Sequence, residues 1–163
     1  MTITLIAAMD RNRTIGKGNA MPWRLPAEMA FFKANTLGKT VLMGRKTFES
    51  LGGKPLPNRR NIVLTRQTNL ELPGSEIVHS VEEALRLIPE VEELMIIGGS
   101  DIYAQFLPYA NKILLTEVET EIIGGDATFP EFDPKDWRRI VGDRKEPDER
   151  NAYAFTFVTH ERL

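Results

Sequence analysis

Cysteine is absent from the chain. Disulfides, thiol nucleophiles and cysteine-bound metals go with it, and a reducing compartment fits that absence. Histidine occurs only as His79 and His160, far apart in sequence. No HExxH helix, two-histidine metal site or serine–histidine–aspartate signature can be built from them, so no metal is expected. Charge of either sign is not in excess: 21 Lys and Arg face 23 Asp and Glu, a net −2. Nothing marks a nucleic-acid surface or a polybasic membrane patch. No apolar run approaches the roughly 18 residues that span a bilayer. The N-terminal run Thr2–Met9 is short, lacks the basic leader of a signal peptide, and ends at Asp10. These absences predict a cytoplasmic location. If so sparse a set of catalytic side chains belongs to an enzyme, a cofactor is expected to carry its difficult chemistry.

What is present reads as one ordinary domain over residues 1–163, 42% hydrophobic and 27% charged. Short apolar runs alternate with amphipathic stretches. Strands are expected at Ile3–Met9, Thr40–Gly44, Asn61–Thr65, Glu76–Val78, Leu94–Ile97 and Ile113–Val118. Helices are expected at Ala27–Thr36, Lys46–Leu51, Ser80 to Ile88 and Ser100–Leu107. Ser80 and Glu83 form a capping box at the start of the third helix, and Pro89 stops it. Trp137–Asp143 and Tyr153–Thr159 read as a final antiparallel pair joined by a charged loop. In the last run Tyr153, Phe155, Phe157 and Thr159 alternate with Ala154, Thr156 and Val158. The fold class is therefore α/β, a mostly parallel sheet with helices on both faces and a C-terminal antiparallel edge.

Several segments can carry chemistry. Met21-Pro22-Trp23-Arg24-Leu25-Pro26-Ala27-Glu28 leads into a helix whose first turn accommodates Pro26. Helical spacing puts Glu28 on one face with Phe31, Phe32 and Asn35. A carboxylate on an aromatic face is costly unless something binds it. It equally suits a helix start that points at water. Gly98-Gly99, between a buried strand and a helix, admits close backbone approach to a pyrophosphate, or is simply a tight turn. Arg45 and Lys46 bring two cations to a helix start, and Thr65-Arg66 ends the next strand. Two basic strand ends suit a phosphate-rich ligand such as NADP, or are solvated surface. Arg59, after Pro55-Leu56-Pro57-Asn58, is either a carboxylate fork or an exposed loop arginine.

Taken in order, these segments resemble the dihydrofolate reductases along the whole chain. The matching runs are Leu5–Met9, Ile15-Gly16 with Asn19–Trp23, and Leu25–Glu28. They continue with Met43–Ser50, Pro55–Arg59, Ile97–Tyr103, Leu115-Thr116, Gly125-Asp126 and Phe129-Pro130. The resemblance implies NADPH-dependent reduction of 7,8-dihydrofolate to tetrahydrofolate, by hydride transfer to C6 and protonation of N5. One-carbon metabolism would use the product. It implies a monomer that binds antifolate inhibitors.

It also implies roles for residues. Glu28 would bind the pterin, Thr116 would hydrogen-bond that carboxylate, and Met21 and Trp23 would belong to a lid. Ile6, Ala7, Met29, Phe32, Leu56, Ile97 and Tyr103 would line the substrate pocket, and Arg59 would pair with the glutamate tail. Ala8, Ile15, Gly16, Asn19 and Ala20 would lie on the nicotinamide side. Gly98, Gly99, Ser100, Asp101, Ile102 and Tyr103 would surround the pyrophosphate. Gly44, Arg45, Lys46, Thr47, Leu64, Thr65, Arg66 and His79 would hold the phosphates and the adenosine end. Water would be the final proton donor. Departures from the common bacterial pattern are Glu28 in place of aspartate, Ala127 in place of threonine, His79 in place of a cation, and an added Gly53. Two other readings compete: a reductase of the same fold acting on a ribosylated pyrimidine in riboflavin synthesis, and a non-catalytic NADPH-binding protein. The acid in the Trp-x-Leu-Pro-x-Glu run argues against the first. No catalytic position is visibly lost, which argues against the second.

Overall fold

The computed structural model describes residues 2–87 and 92–163. In chain order its elements are β1 (Thr2–Met9), β2 (Thr14–Gly16), α1 (Pro26–Thr36), β3 (Thr40–Gly44), α2 (Arg45–Ser50), β4 (Arg60–Leu64), β5 (Ser75–Val78) and α3 (Val81–Leu87). They continue with β6 (Glu93–Ile96), α4 (Ser100–Phe106), β7 (Lys112–Val118), β8 (Ala127–Thr128), β9 (Trp137–Lys145) and β10 (Phe155–Arg162). Eight strands form one sheet in the order β5-β4-β3-β6-β1-β7-β10-β9. Neighbours from β5 to β7 are parallel, and β10 runs antiparallel to both β7 and β9. The expected helix end at Ile88 and Pro89 lies outside the described residues.

The all-apolar strands are buried on both sides because successive side chains serve different cores. Ile3, Leu5, Leu42, Ile62, Leu94 and Ile113 enter one core, covered by Val81 and Ala84 of α3 and by Ile102 and Phe106 of α4. Ile6, Val41, Met43, Val63 and Met95 enter the other, against Phe31 and Phe32 of α1 and Phe48 of α2. Full burial of each such side chain is worth about 1.5–3 kcal/mol, so a one-residue slip in any strand would exchange both sets.

Helix α1 leaves β1 toward β3 over one face, whereas α4 leaves β6 toward β7 over the other. Adjacent strands whose connections depart in opposite directions make a topological switch point, with a crevice at their carboxyl ends. The β1–β6 ladder stops at Leu5 and Ile96, while β1 continues beside β7 as far as Met9. Past Leu5, the β6-facing edge of β1 is open.

Three local features differ from the expected pattern. Tyr153, Phe155 and Phe157 do share one face, but the pairing of β10 with β9 slips between Thr156 and Val158. The extra residue lies in β9, where a Cβ on Gly142 would meet the Phe157 carbonyl oxygen at 2.7 Å. Such a bulge moves every later side chain to the other face. Second, β2 and β8 form a separate two-stranded ribbon. Third, Ser80 does accept from the Glu83 N–H (3.0 Å), but the Glu83 carboxylate reaches back to the His79 N–H (2.9 Å) rather than to that of Ser80.

Candidate active site at the switch point

Pro26 occupies the first turn of α1, and Leu25, whose side chain is buried, stands at its N-cap with no side-chain cap. This fixes Glu28 in the first turn, where it is only 8% exposed. Burial is the sole cause that raises its carboxyl from the usual range to about 7. The hydroxyl of Thr116 makes no hydrogen bond to Glu28 among the described residues, contrary to the sequence-based expectation. Thr116 does lie on the same side of the sheet. It pairs with Ala8 in the β1–β7 ladder and falls between Leu114 and Val118, both directed to the α1 face. Ile6 and Ala8 share that face, as do Ile97 and Leu56. Phe32 is half-buried beside them. Ala7 is the exception: period two turns its side chain into the opposite core, leaving only its backbone toward the crevice. Met21 and Met29 are exposed at the rim. Trp23 is buried against Ala8 and Leu25, and its indole N–H has no hydrogen-bond partner among the described residues.

Tyr103 closes the crevice from the far side. Its hydroxyl donates to the Ile6 carbonyl at 2.7 Å, on the edge that β6 leaves open. Burial, then the Glu28 carboxylate, pushes its ionisation far above the usual phenol range, so it remains a donor.

The loop before β4 carries Arg59. Its Nε donates to the Pro57 carbonyl at 3.0 Å and its Nη1 to Thr36 Oγ1 at 2.9 Å, which sets the guanidinium over the last turn of α1. Thr36 and Asn61, which sequence reasoning passed over, organise this loop. The only signal they gave was being polar at otherwise apolar positions of a helix and a strand.

The glycine turn brings three segments together. The Gly44 N–H donates to the Gly98 carbonyl at 2.9 Å, and the Tyr103 N–H to that of Gly99 at 2.9 Å. A Cβ on Gly44 would lie 3.0 Å from Ile102, and one on Gly98 3.1 Å from the Tyr103 ring. A Cβ on Gly99 would sit 3.6 Å from Thr47 Oγ1. Gly44 and Gly99 are the N-caps of α2 and α4, and neither helix has a side-chain cap. Unfilled N–H groups, small residues and hydroxyls suit a pyrophosphate. Lys46 and Asp101 are exposed beside this turn.

Along the neighbouring strand ends, Leu64 and Thr65 are buried and Arg66 is exposed. His79 Nδ1 lies 2.9 Å from the Thr65 carbonyl, which fixes the ring at this rim. Arg45 is not a free cation here: it pairs with Glu49 at 3.2 Å within α2.

The ribbon flanks the crevice. Its β2 strand carries Ile15 and Gly16, and Lys17 and Ala20 bridge the turn that follows. Asn19 donates to the Lys46 carbonyl at 3.2 Å, the Gly18 N–H to Asp126 Oδ2 at 2.9 Å, and Ser100 Oγ to the Thr128 carbonyl at 2.7 Å. The loop after β2, strand β8, α4 and α2 are thereby tied to one another.

Comparison with known proteins agrees with this geometry. Residues 2–162 match the family model described as dihydrofolate reductase. The chain is 45% identical over 162 residues to dihydrofolate reductase type 3 of Salmonella typhimurium, covering 99% of both chains. It is 49% identical over 158 residues to the dihydrofolate reductase of Neisseria gonorrhoeae, covering 97% of this chain and 96% of that one. Among solved structures, it superposes with a TM-score of 0.92 on the enzyme from Enterococcus faecalis complexed with NADP(H) and RAB-propyl. That match has 36% identity and covers 99% of this chain and 96% of the other.

Proposed function

The chain belongs to the dihydrofolate reductase family, and from the geometry of the crevice we propose how its residues reduce 7,8-dihydrofolate with NADPH. The observation that carries the reading is Glu28, a buried carboxyl raised to about 7 with no hydrogen-bond or ionic partner among the described residues, facing a topological switch point. A group so placed is costly without a ligand. A pterin's N3–H and 2-amino group offer the two parallel donors that one carboxylate accepts. Ile6, Phe32, Leu56 and Ile97 supply the apolar walls for the ring and the aminobenzoyl group. Arg59 takes the α-carboxylate of the glutamate tail.

The glycine turn fits the cofactor. The glycines let the turn pack closely, because a Cβ on Gly44 would press on Ile102 and one on Gly98 on Tyr103, and the uncapped N–H groups beside Thr47 and Ser100 are left for a pyrophosphate. Arg45, Thr65, Arg66 and His79 would hold the 2′-phosphate end. When bound, NADPH supplies the hydride that goes to C6.

Ala8 and Ile15 hold the nicotinamide side of the crevice against the pterin side, so the reacting carbons approach in one orientation. Glu28 orients and polarises the pterin, and as a carboxylate in a low-dielectric site its negative charge lowers the cost of protonating N5. The proton itself comes from water. The Trp23 indole N–H, buried and unpartnered, is a donor available to that water. Met21, Trp23 and the ribbon exclude bulk solvent and gate release. We infer a single catalytic domain acting as a monomer in the cytoplasm, whose product supplies one-carbon transfers and whose pocket admits antifolates. No helix among the described residues is long and apolar enough to cross a membrane. Absorbance at 340 nm with NADPH and dihydrofolate tests the proposal: a dihydrofolate-dependent fall is expected, and its absence would overturn the assignment.

A further inference from the structure

An arginine that recognises one carboxylate needs more than charge, because its long side chain loses rotamer freedom on binding unless that freedom is already removed. Arg59 has it removed. Two of its five N–H groups are committed, Nε to Pro57 and Nη1 to Thr36. Three remain for a ligand.

Both anchors are themselves fixed. Thr36 is completely buried, and its hydroxyl proton goes to the Phe32 carbonyl at 2.8 Å, one turn back on α1. With its proton spent there, Thr36 Oγ1 can only accept from the guanidinium. Asn61 is 2% exposed at the start of β4. Its Oδ1 accepts from the Leu56 N–H, and its Nδ2 donates to the carbonyls of Leu56 and Arg59, all at 2.9 Å. One carboxamide thus closes the turn that passes through Asn58, whose φ is +59°. The Asn58 carbonyl in turn accepts from Gly38 N–H beyond the end of α1. Helix end and loop are fastened on either side of Arg59.

We propose that Thr36 and Asn61 are positioning residues that preset Arg59 for the α-carboxylate of the substrate tail, and so set the preference for tail-bearing over tail-free pterins. This rests on the assignment of Arg59 to the tail under the proposed function. Neither residue touches substrate. Their effect passes entirely through the guanidinium, so it must vanish for a substrate that offers no carboxylate.

The test compares dihydrofolate with 6-methyl-7,8-dihydropterin, which lacks the aminobenzoyl-glutamate, in wild type, T36V, T36S, N61A and R59A. Valine keeps the volume of threonine and deletes one hydrogen bond to a charged group. T36V should raise the KM for dihydrofolate about tenfold, with little change in kcat. The KM for the methyl dihydropterin should stay within about twofold of wild type, and T36S should restore most of the loss. N61A should act in the same direction; T36V and T36S carry the test if N61A fails to fold. An equal rise for both substrates, or no rise, would overturn the positioning role. R59A marks the full contribution of the tail. If R59A separates the substrates and T36V does not, only the positioning role falls. If R59A fails to separate them, the tail assignment falls and takes the proposal with it.

Discussion

The Tyr103 hydroxyl donates to the Ile6 carbonyl at 2.7 Å, and the same ring lies 3.1 Å from where a Cβ on Gly98 would be. One aromatic side chain thus fixes the spacing between the glycine turn and β1. Gly98 also has φ +115°, a region that side chains rarely adopt. Gly98→Ala should therefore push Tyr103 off Ile6 and strain the turn by about 1–3 kcal/mol. Fluorescence titration should show NADPH binding weakened about tenfold or more, by the free-energy equivalence of affinity.

Glu28 gives a signed pH prediction. Its folded value of about 7 lies above the ordinary 4.5. The native state therefore binds the extra proton between those values. Its contribution is full below about 4.5 and is lost as pH rises through about 7. The whole difference is on the order of 3 kcal/mol at most. Urea midpoints of wild type and Glu28→Gln, measured from pH 4.5 to 8, should diverge with that slope, wild type losing ground as pH rises. In turnover, Glu28→Gln should lower the rate near pH 7 by about a hundredfold and leave NADPH affinity nearly intact; a wild-type rate would remove Glu28 from the chemistry.

His160 should act with the opposite sign. It is buried between β7 and β9, edge-on to Phe132 at 5.0 Å, with Nε2 unpartnered among the described residues. Burial lowers its value, Glu117 raises it, and Arg139 and Arg13 lower it. The stability it contributes is full above the ordinary histidine range near 6.5 and is lost as pH falls through the lower folded value. In a Glu28→Gln background, His160→Leu should abolish that acid-side loss. Thermal midpoints at pH 7.5 and pH 5 measure it, and an undiminished loss would place the acid sensitivity elsewhere.

The Arg45–Glu49 pair predicts competition for the cofactor phosphate. Arg45→Ala with Arg66→Ala should narrow the preference for NADPH over NADH by about tenfold or more. Glu49→Gln should do the reverse, tightening NADPH about two- to threefold, because an exposed pair is worth little. NADH binding should not change in Glu49→Gln, and dissociation constants for both nucleotides check this.

Much of the sheet was legible because each buried strand is a compact apolar run bounded by turn residues. Strand ends fell within a residue or two of expectation for β1 and for β3 through β7. The exception beyond them has a physical cause. Alternation through Phe155 and Phe157 holds because their pairing with β7 is unbroken, whereas the bulge opposite Phe157 disrupts β9; Gly142 inside that strand was the available sign. The β2–β8 ribbon was illegible because two segments so short carry almost no periodicity. At the site, Glu28 stood out as a charge on an aromatic helix face, and it is buried. Arg45 also stood out as a charge, but a sequence does not say that Glu49, one helical turn later, meets it first. Thr36 and Asn61 stayed hidden because residues that act through another side chain have no motif of their own.

The ribbon's fastenings bear on how the molecule opens. Gly18 to Asp126 and Asn19 to Lys46 are exposed hydrogen bonds, as is Ser100 to Thr128, and none of them belongs to either core. Letting go of them uncovers little apolar surface. Local opening and global unfolding are therefore separate free-energy scales in this chain. Substitutions that tighten the sheet interior will raise the melting point without slowing the release of these three hydrogen bonds, and those that remove one of the three will leave the melting point nearly where it was.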